Sequence, residues 1–379
     1  MSMPVLGFVL CAAFVLYVLI GYPLALAAWA KLFSKPISKA LSPHKVSVIV
    51  PVRNGAQWVA QKLDSLLASN YPADLLDIVV VSDGSTDETN ALVSNYPDRR
   101  VRLLSLPPGG KAVAVTKALA SVEGEIVVLT DVRQTFDPEA IRLLVSCFAD
   151  PKVGVVTGEL MIREGNSHEE FNTGLYWTYE KWIRRNLNRI DAMLGATGSI
   201  YAIRRELSVA IPADILLDDV YVPFTAAFRG YRIYFEDQAK AYDLPTSLKS
   251  EFWRKVRTQA GVYQILQRFP ALLSPLNPRF IHFLSHKFGR LLLPFAMLGA
   301  LAFSFFLPAA WAIPLVTVQF IFYGIAALDP LIPENTPVKR FSAVSRAFVV
   351  LVAAAACAPK VFFKPAQQLW KETKVGTAK

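Results

Sequence analysis

Cysteine is scarce in this chain, and its arrangement excludes two classes of protein. The three cysteines, Cys11, Cys147 and Cys357, occur singly, and two of them lie within apolar stretches. Without paired spacing they form neither a disulfide framework nor a zinc site. Internal repeats and low-complexity tracts are also absent from the sequence, which excludes a solenoid or an array of repeats.

Basic residues are absent from the first four positions, ahead of an apolar run at residues 5–30. That run is too long for the apolar core of a signal peptide and long enough to cross a bilayer, so we expect a transmembrane helix at residues 1–30. The linker 31–45 then carries basic residues and no acidic one: Lys31, Lys35, Lys39, His44 and Lys45. Such a flank faces the cytosol, which predicts a cytosolic chain from about residue 31 onward.

Acidic residues are outnumbered by basic ones, and the formal net charge is +10. A basic balance suits nucleic acid, phosphorylated substrates or an anionic membrane. Here the basic residues flank apolar spans, and 53% of the chain is hydrophobic. We therefore predict an anionic membrane as partner and no nucleic acid. The length leaves room for one sizeable domain beside several membrane segments.

Three more apolar segments follow late in the chain, at residues 291–307, 311–328 and 341–358. The short break at 308–310 predicts a tight hairpin between the first two. The basic tail predicts a cytosolic C-terminal end. A chain whose N-terminus lies outside and which crosses the membrane four times would instead end outside. Two interpretations stay open: the segment 341–358, which contains Arg346, lies at the interface, or the charge rule fails here. The tail lysines are Lys360, Lys364, Lys371, Lys374 and Lys379.

The middle of the chain alternates short apolar runs with amphipathic segments, as a mostly parallel α/β sheet requires. We predict strands at residues 46–50, 78–81, 101–104, 126–129 and 153–156, and helices at 57–69, 87–94, 111–120, 138–148 and 170–190. Ser85 or Thr86 is the expected cap of the second helix, and Pro138 suits a first helical turn.

After residue 242 the pattern changes to apolar residues at mostly helical spacing among arginines and lysines, which predicts an amphipathic helix on the membrane surface. The expected division is a transmembrane helix at 1–30, a basic linker at 31–45, an α/β domain at 46–245, interfacial helices at 246–290, membrane segments at 291–358 and a basic tail at 359–379.

Carboxylates follow several of the predicted strands. Asp83 follows the second strand and precedes Gly84, and Asp131 follows the fourth. Ligands bind at the carboxyl ends of strands in open α/β sheets, so these side chains are candidates for nucleotide and Mg²⁺ or Mn²⁺ binding. Asp218 and Asp219 follow an apolar run, and one of them is a candidate general base. The alternative for each is a turn or helix-capping carboxylate.

Basic residues supply two candidate anion sites. Gly109, Gly110 and Lys111 open a helix, where backbone amides and a lysine favour an anion. Arg254 and Arg257 lie three residues apart, so they share one helix face. They are candidates for holding a diphosphate, and contact with lipid headgroups is the alternative.

The order of these motifs resembles the membrane-bound family 2 glycosyltransferases, the group that contains cellulose, hyaluronan and poly-N-acetylglucosamine synthases. The resemblance covers roughly residues 46–290 and the flanking spans. It implies a GT-A fold, an inverting mechanism, a nucleoside-diphosphate sugar donor that is usually UDP-linked, and a lipid or glycan acceptor. It also implies a multi-pass protein of the inner (plasma) membrane with a cytosolic catalytic domain.

On the donor side, the stretch from Pro51 through Arg53 to Asn54 looks like the first nucleotide-binding turn of the family. Asp83 is similar to the acid that binds the base or ribose. Gly110 and Lys111 are similar to the donor loop. The stretch 130–133 stands where the metal-binding Asp-x-Asp motif belongs, so the resemblance implies a metal at Asp131.

On the acceptor side, Thr197, Gly198 and Ser199 are similar to the family's Cys-Gly-Ser/Thr turn. The stretch 217–219 resembles its Thr-Glu-Asp motif, which makes Asp219 the expected catalytic base with Asp218 beside it. The stretch from Arg254 to Thr258 stands at the Gln-x-x-Arg-Trp motif.

Several positions depart from the family pattern. Arg133 replaces the second Asp of Asp-x-Asp, which removes a metal ligand and adds a cation. Two alternatives follow for the donor diphosphate: a metal at Asp131 neutralises it, or Arg133 does so and makes the metal weaker or unnecessary. Gly55 stands where an acid often follows the Asn. Arg254 replaces Gln, and Thr258 replaces the Trp that helps to hold an acceptor sugar. These changes leave two alternatives to a polymer synthase: a single-addition glycolipid synthase, and a catalytically dead membrane assembly partner.

Overall fold

The computed structural model describes residues 2–162, 168–244, 247–333, 336–365 and 368–369, so the tail lysines Lys371, Lys374 and Lys379 lie outside the described residues. The chain divides into two compact units. One, here called the sheet unit, comprises Phe33–Arg163 and Leu187–Leu244. The other, here called the helical unit, comprises Met1–Leu32, Glu164–Asn186 and Pro245–Lys379.

The described strands are β1 (Val46–Val52), β2 (Leu76–Asp83), β3 (Val101–Leu106), β4 (Ile126–Leu129), β5 (Thr135–Phe136), β6 (Val153–Ile162), β7 (Tyr201–Arg204) and β8 (Arg232–Asp243). The described α-helices are α1 (Met3–Leu16), α2 (Tyr22–Leu32), α3 (Ala56–Leu67), α4 (Thr89–Ser94), α5 (Lys111–Leu119), α6 (Ala140–Ser146), α7 (His168–Arg189), α8 (Asp218–Phe228), α9 (Leu248–Arg268), α10 (Phe280–His282), α11 (Gly289–Ser304), α12 (Ala309–Leu328) and α13 (Pro337–Cys357).

One mixed, mostly parallel sheet organises the sheet unit, in the order β3-β2-β1-β4-β7-β6-β8-β5. Strands β1 to β4 run parallel to one another, with Val52 opposite Ser82 and Ile49 opposite Leu129. Strand β7 is antiparallel to both β4 and β6. The predicted α/β fold is confirmed, and so are the five predicted strands.

Strands β5, β7 and β8 were missing from the prediction. Strand β8 carries charged side chains along much of its length, so it lacks an apolar run. Its buried Glu236 forms an ion pair with Lys39, which removes the penalty that an unpaired buried carboxylate would carry. Tertiary pairing therefore makes a strand from a sequence of low β-propensity.

Two predicted helix starts are wrong. Helix α4 begins at Thr89, two residues after the predicted start, and Glu88 precedes it without a side-chain cap. The Asp87 carboxylate instead accepts hydrogen bonds from the backbone N–H and hydroxyl of Thr89, so neither Ser85 nor Thr86 caps the helix. Helix α6 begins at Ala140, two residues after Pro138.

The core of the sheet unit forms because β1, β2 and β4 are apolar on both faces. Helix α3 packs one stripe onto the sheet, and Val59, Leu63 and Leu66 on it are buried. Each such side chain contributes about 1.5–3 kcal/mol when fully buried. Lys62 lies on the same stripe and is also fully buried.

The helical unit contains, within the described residues, four helices that are long and apolar enough to cross a membrane. They are Met3–Leu32, Phe280–Ser304, Ala309–Leu331 and Pro337–Phe362. The first two each contain a π-helical stretch, Tyr17–Gly21 and Phe283–Phe288. These stretches contact each other, since the Tyr17 hydroxyl lies 2.7 Å from the Ser285 hydroxyl.

Buried charges in the helical unit form closed ion pairs. Glu180 pairs with Arg290. After α12, the carboxylate of Asp329 lies 3.2 Å from the Lys339 ammonium and 3.3 Å from the Arg346 guanidinium. The Ser342 hydroxyl donates to the same carboxylate at 2.7 Å. Arg346, whose charge weakened the prediction of a span, therefore has a carboxylate partner.

Candidate active site

The carboxyl ends of β1, β2 and β4 meet at one edge of the sheet because the three strands are parallel and in register. Pro51 lies in β1, and the exposed residues Arg53 and Asn54 follow at its end. Asp83 is the last residue of β2, and Asp131 follows β4. The structure thus brings the predicted donor-side residues to a common edge.

The turn after β1 is tied to the turn after β2 through Asn54. Its φ of 52° lies in the left-handed region, which a short polar side chain such as Asn tolerates. Its side-chain oxygen accepts a hydrogen bond from the Thr86 backbone N–H at 2.8 Å, and its own N–H donates to the Ser85 hydroxyl at 3.1 Å. Ser85 and Thr86, predicted as helix caps, are therefore part of the site's framework.

The buried Asp83 carboxylate holds the glycine loop ahead of α5. It accepts hydrogen bonds from the backbone N–H of Gly109 at 2.6 Å and of Gly110 at 3.0 Å. Gly110 has a φ of 90°, a conformation that favours glycine. Because α5 begins at the next residue, Asp83 places Lys111 at the start of that helix.

Lys111 links two candidate carboxylates. Its ammonium lies 2.9 Å from an oxygen of Asp131 and 3.2 Å from an oxygen of Asp218. Burial works against its charge, but Asp131 and Asp218 outweigh burial and raise the pKa of Lys111 above its ordinary value. Lys111 is therefore a cation at neutral pH, at the helix start where an anion is favoured.

Asp219 is held by the turn at residues 197–199. Its carboxylate accepts a hydrogen bond from the Gly198 backbone N–H at 3.0 Å, and its carbonyl accepts one from the Ala196 N–H at 2.7 Å. The Thr197 N–H donates to the Thr157 hydroxyl on β6 at 2.8 Å. The predicted acceptor turn and the predicted base are thus in direct contact.

Arg133 is engaged away from Asp131. Its guanidinium lies 2.6 Å from the carboxylate of Asp243, at the end of β8. The charge of Arg133 is therefore balanced within the chain. This partner was not predicted, because Asp243 is remote in sequence and follows a strand that the pattern did not reveal.

The residues present do not fit a metal centre made by protein alone. Within the described part of the chain, no three His, Cys, Asp or Glu side chains converge to hold a metal ion. The Asp131 carboxylate is 41% exposed and forms an ion pair with Lys111. Such a carboxylate fits a hard cation only where a bound diphosphate supplies most of the remaining oxygens.

Arg254 and Arg257 belong to the helical unit, on the amphipathic helix α9. The Arg254 guanidinium lies 2.6 Å from the Glu251 carboxylate one turn earlier. The neighbouring Lys255 is buried, and burial lowers its pKa to about 7. The diphosphate role of the two arginines stays a prediction.

Two side chains at this edge were not predicted from sequence. Lys62 donates a hydrogen bond to the Thr130 hydroxyl, and a lysine on the apolar stripe of α3 is the signal that points to it. Tyr201, the first residue of β7, is fully buried, and its hydroxyl has no hydrogen-bond partner among the residues that the structure describes. Burial, together with Asp218, Asp219 and Asp131, raises the pKa of Tyr201 well above its ordinary value, so its hydroxyl stays protonated.

Comparison with known proteins gives a family model that matches part of the chain, and a shared fold. Residues 47–210 match the family model described as Glycosyl transferase family 2. Poly-beta-1,6-N-acetyl-D-glucosamine synthase of Staphylococcus aureus is 24% identical over 231 residues, which cover 59% of this chain and 56% of that protein. The probable glycosyltransferase YdaM of Bacillus subtilis is 30% identical over 255 residues, which cover 63% and 60%.

The chain thus spans little more than half the length of these curated relatives. Among solved structures, the mannosyltransferase PcManGT of Pyrobaculum calidifontis, in complex with GDP-Man and Mn²⁺, superposes with a TM-score of 0.70 at 24% identity. That match covers 94% of this chain and 99% of the other. The likeness shows a shared GT-A fold that extends beyond the sheet unit.

Proposed function

We propose that this chain, in which residues 47–210 match the family 2 model, is a glycosyltransferase that moves a sugar from a nucleoside-diphosphate donor, UDP-linked, to a hydroxyl of a lipid or glycan acceptor with inversion. The observation that carries the proposal is that the Lys111 ammonium lies between the carboxylates of Asp131 and Asp218. Asp218 is the residue directly before Asp219 in the chain. One cation for the diphosphate and one carboxylate for the acceptor thus belong to the same edge of the sheet.

On the donor side, Lys111 is the group that neutralises the diphosphate. Its ammonium exchanges its carboxylate partners for phosphate oxygens. The backbone N–H groups at the start of α5 add to the attraction for the diphosphate. Arg53, Asn54 and Asp83 contact the nucleoside from the ends of β1 and β2. The mannosyltransferase of similar fold was solved with a GDP-linked sugar, so the base requires a direct test.

On the acceptor side, Asp219 is the general base. It takes the proton of the acceptor hydroxyl while that oxygen forms a bond to the anomeric carbon on the face opposite the diphosphate. The bond from that carbon to the diphosphate breaks, and the nucleoside diphosphate leaves with the electron pair. Thr197 and Ser199 belong to the turn that fixes Asp219 through Gly198. A positioned base contributes about 10²–10⁴-fold to such a rate.

A divalent cation is consistent with this site only together with the donor. Asp131 is the residue that would hold Mg²⁺ or Mn²⁺ along with the diphosphate oxygens, and the ion would neutralise charge on the leaving group. In addition, Arg254 and Arg257 are proposed to hold the diphosphate.

The membrane side of the proposal rests on the apolar helices of the helical unit and on the relationship to a polysaccharide synthase. We place the chain in the plasma (inner) membrane as a multi-pass protein with the sheet unit in the cytosol. The basic residues flanking the spans bind anionic lipid there.

A single-addition enzyme that glycosylates a lipid is the second candidate. Its support is Thr258, which stands where polymer synthases have a tryptophan. The Thr258 hydroxyl donates to the Arg254 carbonyl one turn earlier at 2.9 Å, so its polar atom is engaged within α9. A small side chain folded back onto its own helix offers no platform for a sugar ring.

The test is incorporation of label by membranes that contain the full chain. Radiolabelled UDP-glucose, UDP-N-acetylglucosamine and GDP-mannose are supplied separately, with Mn²⁺, with Mg²⁺ and with a chelator. We expect one labelled product from a UDP-linked sugar, and its length on a gel separates polymer from single addition. Label from GDP-mannose alone would overturn the UDP assignment. If none of the three donors is either incorporated or hydrolysed, the result favours the catalytically dead assembly partner.

A further inference from the structure

Lys62 is a fully buried lysine directly beneath the loop that carries Asp131. Its ammonium donates hydrogen bonds to the Thr130 hydroxyl at 2.7 Å and to the Gln134 carbonyl at 2.6 Å. It also lies over the Phe136 ring, 4.0 Å from the ring centre. The lysine thus contacts both ends of the loop 130–134.

The same loop is held from the side of β7 and β8. The Thr130 hydroxyl, which accepts from Lys62, donates to the Ser199 carbonyl at 2.7 Å. At the other end, the side-chain amide of Gln134 donates to the Asp243 carboxylate at 2.7 Å. Asp131 lies between these fixed ends with its carboxylate partly exposed. The loop has no strand or helix of its own, so these side-chain bonds set its conformation.

This lysine is costly for stability. Within the described residues, no carboxylate lies within ion-pair distance of its ammonium, and a buried charge without such a partner is strongly unfavourable. Burial lowers the pKa of Lys62 well below its ordinary value, and only Asp131 opposes that shift. An apolar side chain of similar volume would fill the space at lower free energy. A function that needs the two hydrogen bonds accounts for a lysine here.

We propose that Lys62 is a positioning residue for sugar transfer: through Thr130 and Gln134 it fixes the loop in the conformation that presents Asp131 to the donor diphosphate. The inference rests on the proposed function, because Asp131 has this role only in a nucleotide-sugar site. Lys62 does not itself contact substrate. It acts on the donor through the backbone that it holds.

The experiment measures binding of UDP and of GDP to the full chain in detergent, by calorimetry, for the wild type and the Lys62→Met variant. Methionine keeps the length and volume of the side chain and removes the hydrogen bonds and the charge. We expect affinity for the nucleotide that the wild type binds to fall about 10–100-fold, the range for losing buried hydrogen bonds from a charged group. The thermal midpoint stays unchanged or rises, because the buried charge is gone.

Kinetics with the labelled donor separate positioning from a structural role. The Lys62→Met variant is expected to have a raised KM for the donor and a lowered kcat, with the KM for the acceptor unchanged. Lys117→Met, on the exposed face of α5, is the matched control and behaves as the wild type. A purely structural lysine would instead change the midpoint and leave both KM values alone.

Two Thr130 variants test the same link without altering Lys62. Thr130→Ser keeps the hydroxyl and keeps the affinity, whereas Thr130→Val removes it and weakens binding in the same direction as Lys62→Met. The double variant Lys62→Met with Thr130→Val is expected to lose less than the sum of the two single losses, because both break one bond. Wild-type affinity in both Lys62→Met and Thr130→Val would overturn the inference. A wild type that binds neither nucleotide would overturn the proposed function instead.

Discussion

The two units of this chain treat buried charge differently. In the helical unit, Asp329 is enclosed with Lys339 and Arg346, and the opposite charges balance each other in place. In the sheet unit, Lys62 is buried, and no carboxylate of the described residues is bonded to it. Lys111 is shared between Asp131 and Asp218 at an edge where Asp131 is 41% exposed.

The charges around Asp329 hold helices of the helical unit together, whereas Lys111 is proposed to bind a charged ligand. A closed cluster gains nothing from an incoming anion, because its charges are already compensated. The single positive charge of Lys111 faces two carboxylates, Asp131 and Asp218. In the proposed function, its contacts with them are exchanged for contacts with the donor diphosphate. The comparison therefore predicts that substitutions at Lys111 and its carboxylate partners change activity, whereas substitutions in the Asp329 cluster change stability.

The largest effect is expected for Asp219→Asn, which keeps the shape of the side chain and removes the base. Turnover of the labelled donor should fall by about 10²–10⁴-fold, since a positioned general base contributes that much. Nucleotide affinity and thermal midpoint should be close to those of the wild type. Asp74→Asn, at an exposed position, is the control. Turnover within threefold of the wild type would remove Asp219 from the mechanism.

The second effect should appear in the helical unit, as a loss of stability. Asp329→Asn removes the carboxylate that pairs with the buried Lys339 ammonium, and breaking a buried ion pair costs about 3–5 kcal/mol. Denaturant titration in detergent measures it, and activity per folded molecule should be unchanged. Arg346→Met should cost less, because the Arg346 side chain is 31% exposed. A stable but inactive Asp329→Asn protein would break the comparison between the units.

The smallest effect is expected for Tyr201→Phe, which removes a buried hydroxyl that has no hydrogen-bond partner among the described residues. Stability should rise by about 1 kcal/mol, because an unsatisfied buried polar group is itself unfavourable. Turnover of the labelled donor should stay within threefold of the wild type, because the hydroxyl binds none of the candidate carboxylates. Tyr234→Phe, on β8, serves as a tyrosine control. A variant that loses stability would show that the hydroxyl has a partner after all.

Five of the eight strands were predictable, and the clearest of them, β1, β2 and β4, are mostly buried and read as mainly apolar runs. The other three were not, since β8 carries buried and partly buried charged residues and β5 has only two residues. Pairing with β6 and β7 makes these strands, and pairing between distant segments leaves no local pattern.

The candidate site divides in the same way. Asp83 and Asp131 were found because each directly follows an apolar strand. Lys62 and Asp243 were not, because their importance lies in contacts with the loop 130–134 that only the folded chain creates. A charged residue on an apolar helix face was the one sequence signal for Lys62. That signal does not reveal a role, because the sequence does not show that the loop 130–134 packs against this lysine.

The contacts of Asp83 bear on how the specificity for the donor nucleotide evolves and how it is engineered. Its carboxylate binds the amides of Gly109 and Gly110, and those residues set where Lys111 begins α5. If Asp83 and Lys111 have the roles proposed above, a replacement at Asp83 is expected to disturb recognition of the base and binding of the phosphates together. Exchange of one donor nucleotide for another is thus expected to require concerted changes in β2 and the glycine loop, so that the two segments evolve as one module.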